Sequence, residues 1–328
     1  MRLITLFIFL TTLQMTSFGQ KINYNIPDGY EKDISKDKYK KIVDVAIPII
    51  SKRYNIDFVK EGTIKLKAGQ DMQELNLHNL IGKCVVVKDK SQWGKIIQEH
   101  FDNIFSSIDE QKKIDPENYE TIKKYLSIRI YPKETVTQRG GTASLVVKTD
   151  LEGTYTLLML DLPGAFTPVQ KEIFQLWEKD TSEVFKIAQQ NINKQQVEKV
   201  TQKFEIDGAN IEMTFLGNED YAASYALDLI NNSPDLVGEW GSVVVLPNKG
   251  LVDICKISKD KPLDFVKFIQ RTKPLIEKSY NEHPQQISDQ YFWYYKEKFT
   301  RINVLTDAKG SIDVISPFGL TALLTKMK

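Results

Sequence analysis

Residues Asn218–Ile257, NEDYAASYALDLINNSPDLVGEWGSVVVLPNKGLVDICKI, decide the fold class. Glu219 and Asp220 put negative charge where the first amides of a helix are unpaired and partly positive. The Ala/Leu-rich residues after them are therefore predicted to be helical, with the Pro234–Gly238 region ending the helix. Two apolar runs follow, Val243–Leu246 and Leu251–Ile257, on either side of Pro247-Asn248-Lys249-Gly250. Val/Ile-rich runs bracketed by Pro, Asn and Gly predict a β-hairpin, and three successive valines, Val243 to Val245, predict a strand covered on both faces.

The same helix-and-hairpin unit recurs on both sides. Upstream, Phe204–Ile206 and Ile211–Phe215 alternate with period two around Asp207-Gly208, a hairpin signal. Asp180 with Glu183 predicts a capped helix through Ile192, and Thr167-Pro168-Val169-Gln170 predicts a helix start. Leu126–Tyr131 and Tyr155–Leu160 read as strands, joined by a long loop through Arg139-Gly140-Gly141. Downstream, a helix is expected from Pro262 to about Tyr280, bent at Pro274. A last hairpin of Gln290–Tyr295 and Phe299–Val304 follows, then a tail from residue 305 with a turn at Gly310. Hairpins imply antiparallel pairing, so the main domain, 121–304, is predicted as α+β with a mainly antiparallel sheet.

The polar run Asp109–Glu120 reads as a linker. Before it, residues 20–108 read as a small α/β-type domain. Its expected elements are a helix over Tyr39–Arg53, strands at Ile56–Val59, Thr63–Lys67 and Cys84–Lys88, and a helix capped by Ser91. Met1-Arg2, the uncharged run Leu3–Leu13 and Ser17-Phe18-Gly19 make the three-part pattern of a secretory signal peptide over residues 1–19. The protein is thus expected to be exported, to the periplasm or outside the cell. No later run approaches the length of a membrane span. Export would permit a disulfide between Cys84 and Cys255, but cysteines inside Val/Ile runs behave as small apolar side chains, which favours two buried thiols.

Forty-four Lys and Arg stand against 43 Asp and Glu, so there is no basic excess of the kind a nucleic-acid surface needs. His78, His100 and His283 form no metal-ligand pair. No G-x-G-x-x-G or phosphate-loop pattern occurs, so neither a metal nor a cofactor is expected. Ser224 lacks the G-x-S-x-G turn of a hydrolase nucleophile. Arg139-Gly140-Gly141-Thr142 could cradle an anion, although a hairpin loop explains the same composition.

Several pieces in order carry a resemblance. They are Ile128-Arg129-Ile130-Tyr131-Pro132, Thr154-Tyr155-Thr156-Leu157, the Trp177 segment with Ala188-Gln189-Gln190-Asn191, and Tyr221-Ala222-Ala223-Ser224. Val243-Val244-Val245-Leu246-Pro247 and Pro284…Ile287-Ser288 before Phe292-Trp293-Tyr294 complete the set. Over about Ser127 to Asn303 the chain resembles the bacterial family called domain of unknown function 1444. That family usually has an aspartate where this chain has Ala222, and its familiar members lack an export signal. The resemblance implies a shared fold and no activity, the family being uncharacterised.

Two function classes follow from the residues. Tyr291-Phe292-Trp293-Tyr294-Tyr295 is the most aromatic run; in a strand Tyr291, Trp293 and Tyr295 share one face, which could stack on a sugar or peptide. The expected function is therefore non-catalytic binding of a ligand or protein partner through the last hairpin and its neighbouring loops. The alternative is a hydrolase using paired carboxylates drawn from Asp161, Glu239 and Asp253, all at strand or loop ends.

Overall fold

The structure, a computed structural model, describes residues 21–138, 140–206 and 208–326. The expected signal peptide, Arg139 and Asp207 lie outside the described residues. The chain divides into two compact units after Asp109.

The first unit contains β1 (Lys21–Ile22), α1 (Lys36–Ser51), β2 (Ile56–Lys60), β3 (Thr63–Leu66), β4 (Glu74–Asn76), α2 (His78–Val86) and the start of α3 (Trp93–Gln111). Its sheet runs β1-β2-β3-β4, with β1 parallel to β2 and the other pairs antiparallel. Cys84–Lys88 is not a strand: Leu80, Ile81 and Cys84 face the core at helical spacing in α2, whereas Val86 is 78% exposed. The helical period prevails over the β preference of Val85 and Val86. Asp89, rather than Ser91, caps the turn leading into α3; its carboxylate accepts from the Ser91 amide at 2.9 Å.

The second unit opens with α4 (Tyr119–Ile122), β5 (Leu126–Pro132), α5 (Lys133–Gln138), α6 (Gly141–Ser144), β6 (Val147–Lys148), β7 (Thr154–Leu162), β8 (Ala165–Pro168), α7 (Lys171–Leu176) and α8 (Thr181–Ile192). It continues with β9 (Glu198–Ile206), β10 (Ala209–Gly217), α9 (Ala222–Tyr225), α10 (Leu229–Asn232), β11 (Ser242–Asn248), β12 (Leu251–Lys256) and α11 (Asp264–Glu282). The last elements are β13 (Tyr291–Tyr295), β14 (Lys298–Thr306), β15 (Ile312–Ile315) and α12 (Phe318–Thr325).

Its larger sheet has seven strands in the order β15-β14-β13-β11-β12-β10-β9, every neighbouring pair antiparallel. A second sheet pairs β5, β6 and β8 with β7, again antiparallel. The architecture is α+β.

The expected hairpin is β11–β12, with Val243 opposite Cys255 and Val244 opposite Ile254. All of β11 is buried, as the valine run demands. Val243, Val245 and Cys255 pack with Phe265, Phe268 and Ile269 of α11 and with Leu320 of α12. Val244, Leu246 and Ile254 face the other way, into a core shared with Ile128, Ile130, Leu158 and Leu160 of the smaller sheet and Val184, Phe185 and Ala188 of α8.

The helix expected after Glu219 is broken into short pieces, α9 and α10 with 3₁₀ turns beside them. The cause is competition for backbone groups. The Ala223 amide donates to Lys249 O at 3.1 Å, and Asn232 Nδ2 takes Tyr225 O at 2.7 Å. Thr167-Pro168 does not start a helix either: Thr167 pairs with Leu160 in the ladder, and α7 begins at Lys171. Asp180 does cap α8, accepting from Ser182 N and Glu183 N. The loop after β5 contains α5 and α6, and Pro274 lies inside α11 without ending it. Beyond Thr306, β15 pairs with β14 and Leu320 of α12 is buried.

Candidate functional site

β5 carries one charged residue, Arg129, in a mostly apolar strand that is buried from Leu126 to Ile130. Its guanidinium lies 3.5 Å from the ring centroid of Phe166 on β8, and its Nη2 donates to Asp220 Oδ1 at 2.6 Å. Asp220 is held in place by its backbone. Asn218 Oδ1 accepts from the amides of Asp220 and Tyr221 at 2.9 and 3.0 Å, and Asn218 N donates to Gly250 O. Lys249, in the β11–β12 turn, places its Nζ 2.9 Å from the same Asp220 oxygen. That turn is fixed by Asn248 Oδ1, which accepts from Gly250 N, and by Lys249 N, which donates to Gln285 O. Beside it the Tyr221 hydroxyl donates to Asp161 Oδ2 on β7 at 2.6 Å, and the Tyr221 ring meets Phe166 edge-on at 5.8 Å.

The two carboxyl groups are pushed in opposite directions. Burial raises Asp161 above the usual carboxylate value, with help from the Asp220 charge and against the Tyr221 hydrogen bond and Arg129. Burial acts the same way on Asp220, but Lys249 and Arg129 outweigh it and hold that carboxyl low. Burial, and then the hydrogen bond to Asp161, push the Tyr221 phenol well above its ordinary range, so it is a donor and not a base. Asp220 keeps 40% of its side chain exposed and forms the open rim. Beneath it a crevice lined by Arg129, Asp220, Ser224, Lys249, Gln285 and Ile287 has about 10 Å³ of free space, room for one water. Arg129 Nε is buried there without a hydrogen-bond partner among the described residues. Ser224 Oγ donates to Ile128 O at 2.8 Å, which commits it to the backbone.

The residues expected to act together are dispersed, apart from Asp161. Glu239 lies on the surface beside Lys259, at 3.3 Å, and lines a separate cavity of about 460 Å³ with Glu212 and Asp264. Asp253 is 3% exposed on the α11 side of β12, between Phe215 and Val245 on the flanking strands. Its Oδ1 has no partner among the described residues, and burial pushes its pKa up to about 7.

The aromatic face is not an open platform. Tyr291 is buried against Phe268, with its hydroxyl 2.8 Å from Thr272 Oγ1. Trp293 is buried with Nε1 donating to Trp240 O at 2.7 Å. Tyr295, half-buried, stacks on Trp293 at 4.9 Å. Phe292 and Tyr294 are buried on the opposite face, because β13 lies inside the seven-stranded sheet with cover on both sides.

Cys84 and Cys255 are free and buried, their thiols pushed up to about 11 and about 12 by burial, so both stay protonated and unreactive. Among the described residues no group of three His, Cys, Asp or Glu could hold a metal ion, and no helix is long and apolar enough to cross a membrane.

Arg129, Asp220, Tyr221 and Lys249 are not among the functional candidates of the sequence analysis, where they appear only as helix-start, turn and resemblance residues. The usable signal was Arg129, a lone charge within an apolar strand, which needs a partner when buried. Comparison of the chain with known protein families, curated proteins and solved structures returns no match. The segments Ile128–Pro132, Tyr221–Ser224 and Pro284–Ser288, on which the resemblance above rests, meet at this crevice.

Proposed function

We propose that the chain is an exported, non-catalytic binding protein, and that its ligand or partner docks at the Asp220 rim. The observation that carries this reading is the convergence of Arg129, Lys249, Asp161 and the adjacent pair Asp220-Tyr221, from four segments, onto one half-open position, each held by hydrogen bonds or stacking. Such prior ordering lowers the entropic cost of binding. The loop that borders the crevice, Gln285–Ile287, leads into the last hairpin, so the docking position adjoins that hairpin without using its buried aromatic face. Two cations beside a rim carboxylate favour a ligand carrying an anionic oxygen, which Arg129 and Lys249 would share with Asp220. The kinship with domain of unknown function 1444 belongs to the same proposal and adds no activity to it.

The test is calorimetric titration with citrate, glutamate and inorganic phosphate, using the intact protein and Lys249→Met. Binding of one of these anions that weakens at least tenfold in the variant, with thermal stability little changed, supports the reading. No heat from any of them, or equal affinity in both proteins, sinks it.

A second reading has its own observation. Asp161 raised and Asp220 lowered within one cluster is the separation that assigns a general acid and a general base. A carboxylate hydrolase would then use Asp161 with Asp220, not with Glu239 or Asp253. Turnover of nitrophenyl glycosides, abolished in both Asp161→Asn and Asp220→Asn, would establish it; its absence leaves the binding reading.

A further inference from the structure

At the other end of β13 from the crevice, the turn joining β13 to β14 borders a groove of about 1070 Å³ that shares no lining residue with the crevice. Its size is above that of pockets that enclose small ligands, as suits an open groove for an extended one. Along one wall the polar groups are already locked. Asn193 Nδ2 donates to Asp228 Oδ2 at 2.7 Å, Asn231 Nδ2 donates to Asp228 Oδ1 at 2.7 Å, and Gln189 Nε2 donates to Asn193 Oδ1 at 3.0 Å. Side chains fixed in this way present their remaining donors and acceptors in set directions. Also in the lining, Asp150 Oδ1 lies 3.1 Å from Lys148 Nζ, while its Oδ2 is buried with no hydrogen-bond partner among the described residues.

Charge and apolarity narrow the ligand. Asp150, Asp180, Asp228 and Glu297 outnumber Lys148 and Lys186, and Lys148 is tied to Asp150, so a phosphate or carboxylate would be repelled. The apolar side chains in the lining are Leu227 and the largely covered ring of Phe185, over which Lys148 Nζ sits at 5.2 Å, and the rest of the apolar lining comes from the stems of polar residues. That is too little for a lipid. The ligand that fits carries many hydroxyl donors and no negative charge. We infer that the groove beside α8 and the last hairpin turn is a binding site for a neutral oligosaccharide, separate from the Asp220 crevice.

The test is calorimetric titration of the full chain with maltotriose, cellotriose and chitotriose, and with trilysine as a cationic peptide probe. One trisaccharide binds in the millimolar range or tighter, trilysine does not, and Gln190→Trp, which fills the groove from an exposed position on α8, weakens the sugar at least tenfold. Asn231→Ala, which removes one locked amide, weakens it less and serves if the tryptophan variant misfolds. Lys249→Met leaves sugar binding unchanged, which separates this site from the proposed anion site. Three results overturn the inference: no binding by any trisaccharide, sugar binding untouched by both groove variants, or binding of trilysine in place of sugar.

Discussion

On the α11 side of the seven-stranded sheet, Asp253 points into an apolar layer and meets no hydrogen-bonding partner for one oxygen. At the crevice, the Asp220 carboxylate meets both Arg129 and Lys249, and its backbone is held by Asn218. Both carboxyl groups are next to the same β11–β12 hairpin, and burial acts on both in the same sense. Exposure and cations together separate them: Asp253, 3% exposed, is held near neutrality, whereas Asp220, 40% exposed and beside Arg129 and Lys249, stays ionised. Burial by itself marks no functional carboxylate; the company it keeps decides what it can do.

The largest effect that can break this contrast is at Asp253. Its folded pKa, about 7, lies above the ordinary 3.8, so the folded state prefers the protonated form. Below pH 4 the acid is neutral in both folded and unfolded chains and costs nothing. Between pH 4 and 7 the unfolded chain ionises while the folded one resists, and stability falls by on the order of 4 kcal/mol. Urea unfolding at pH 4.5 and pH 8 should show this loss, and Asp253→Asn should remove most of it. A variant with the same pH slope as the parent would mean that water reaches the carboxylate.

The next effect is at Arg129. Arg129→Met deprives Asp220 of one cation and Phe166 of its stacking partner, and should cost about 2 to 3 kcal/mol. That is less than a fully buried pair would lose, because Lys249 remains and Asp220 is partly solvated. Equilibrium unfolding at pH 7 measures it. A third carboxylate, Asp180, accepts from the amides of Ser182 and Glu183 and from the Ser182 hydroxyl; Asp180→Ala should lower stability by less than Arg129→Met does in the same measurement. Smallest is Asp220→Asn. Its lowered pKa supplies stability above the unfolded value that is lost as pH falls, so the variant should differ from the parent by under about 1 kcal/mol at pH 7 and not at all near pH 2. A larger gap at pH 7 would mean that the rim is drier than its exposure implies.

The β11–β12 hairpin, the last hairpin and the capped α8 were legible because their signals are local: valines around Pro-Asn-Lys-Gly, five consecutive aromatics, and aspartate two and three residues before the amides it binds. Helix α2 was misread because valine's strand preference masked a helical spacing of Leu80, Ile81 and Cys84. The broken helix after Asp220 was illegible for another reason: the group that interrupts it, Lys249 O, lies 26 residues downstream of Ala223. The site follows the same division. Asp161 could be named as a carboxylate at a strand end, but its neighbours Arg129, Tyr221 and Asp220 arrive from other segments. Period-two alternation in β13 shows which aromatics share a face; it does not show that both faces are covered.

Strand β15 gives the C-terminal residues a protective task. It shields the Asn303–Thr306 half of β14, whose nine residues would otherwise present a row of unpaired amides and carbonyls along the sheet margin. A chain stopped after Thr306 would keep every residue of both proposed sites yet expose that margin, and self-association of the truncated protein, ribbon against ribbon, is the expected result.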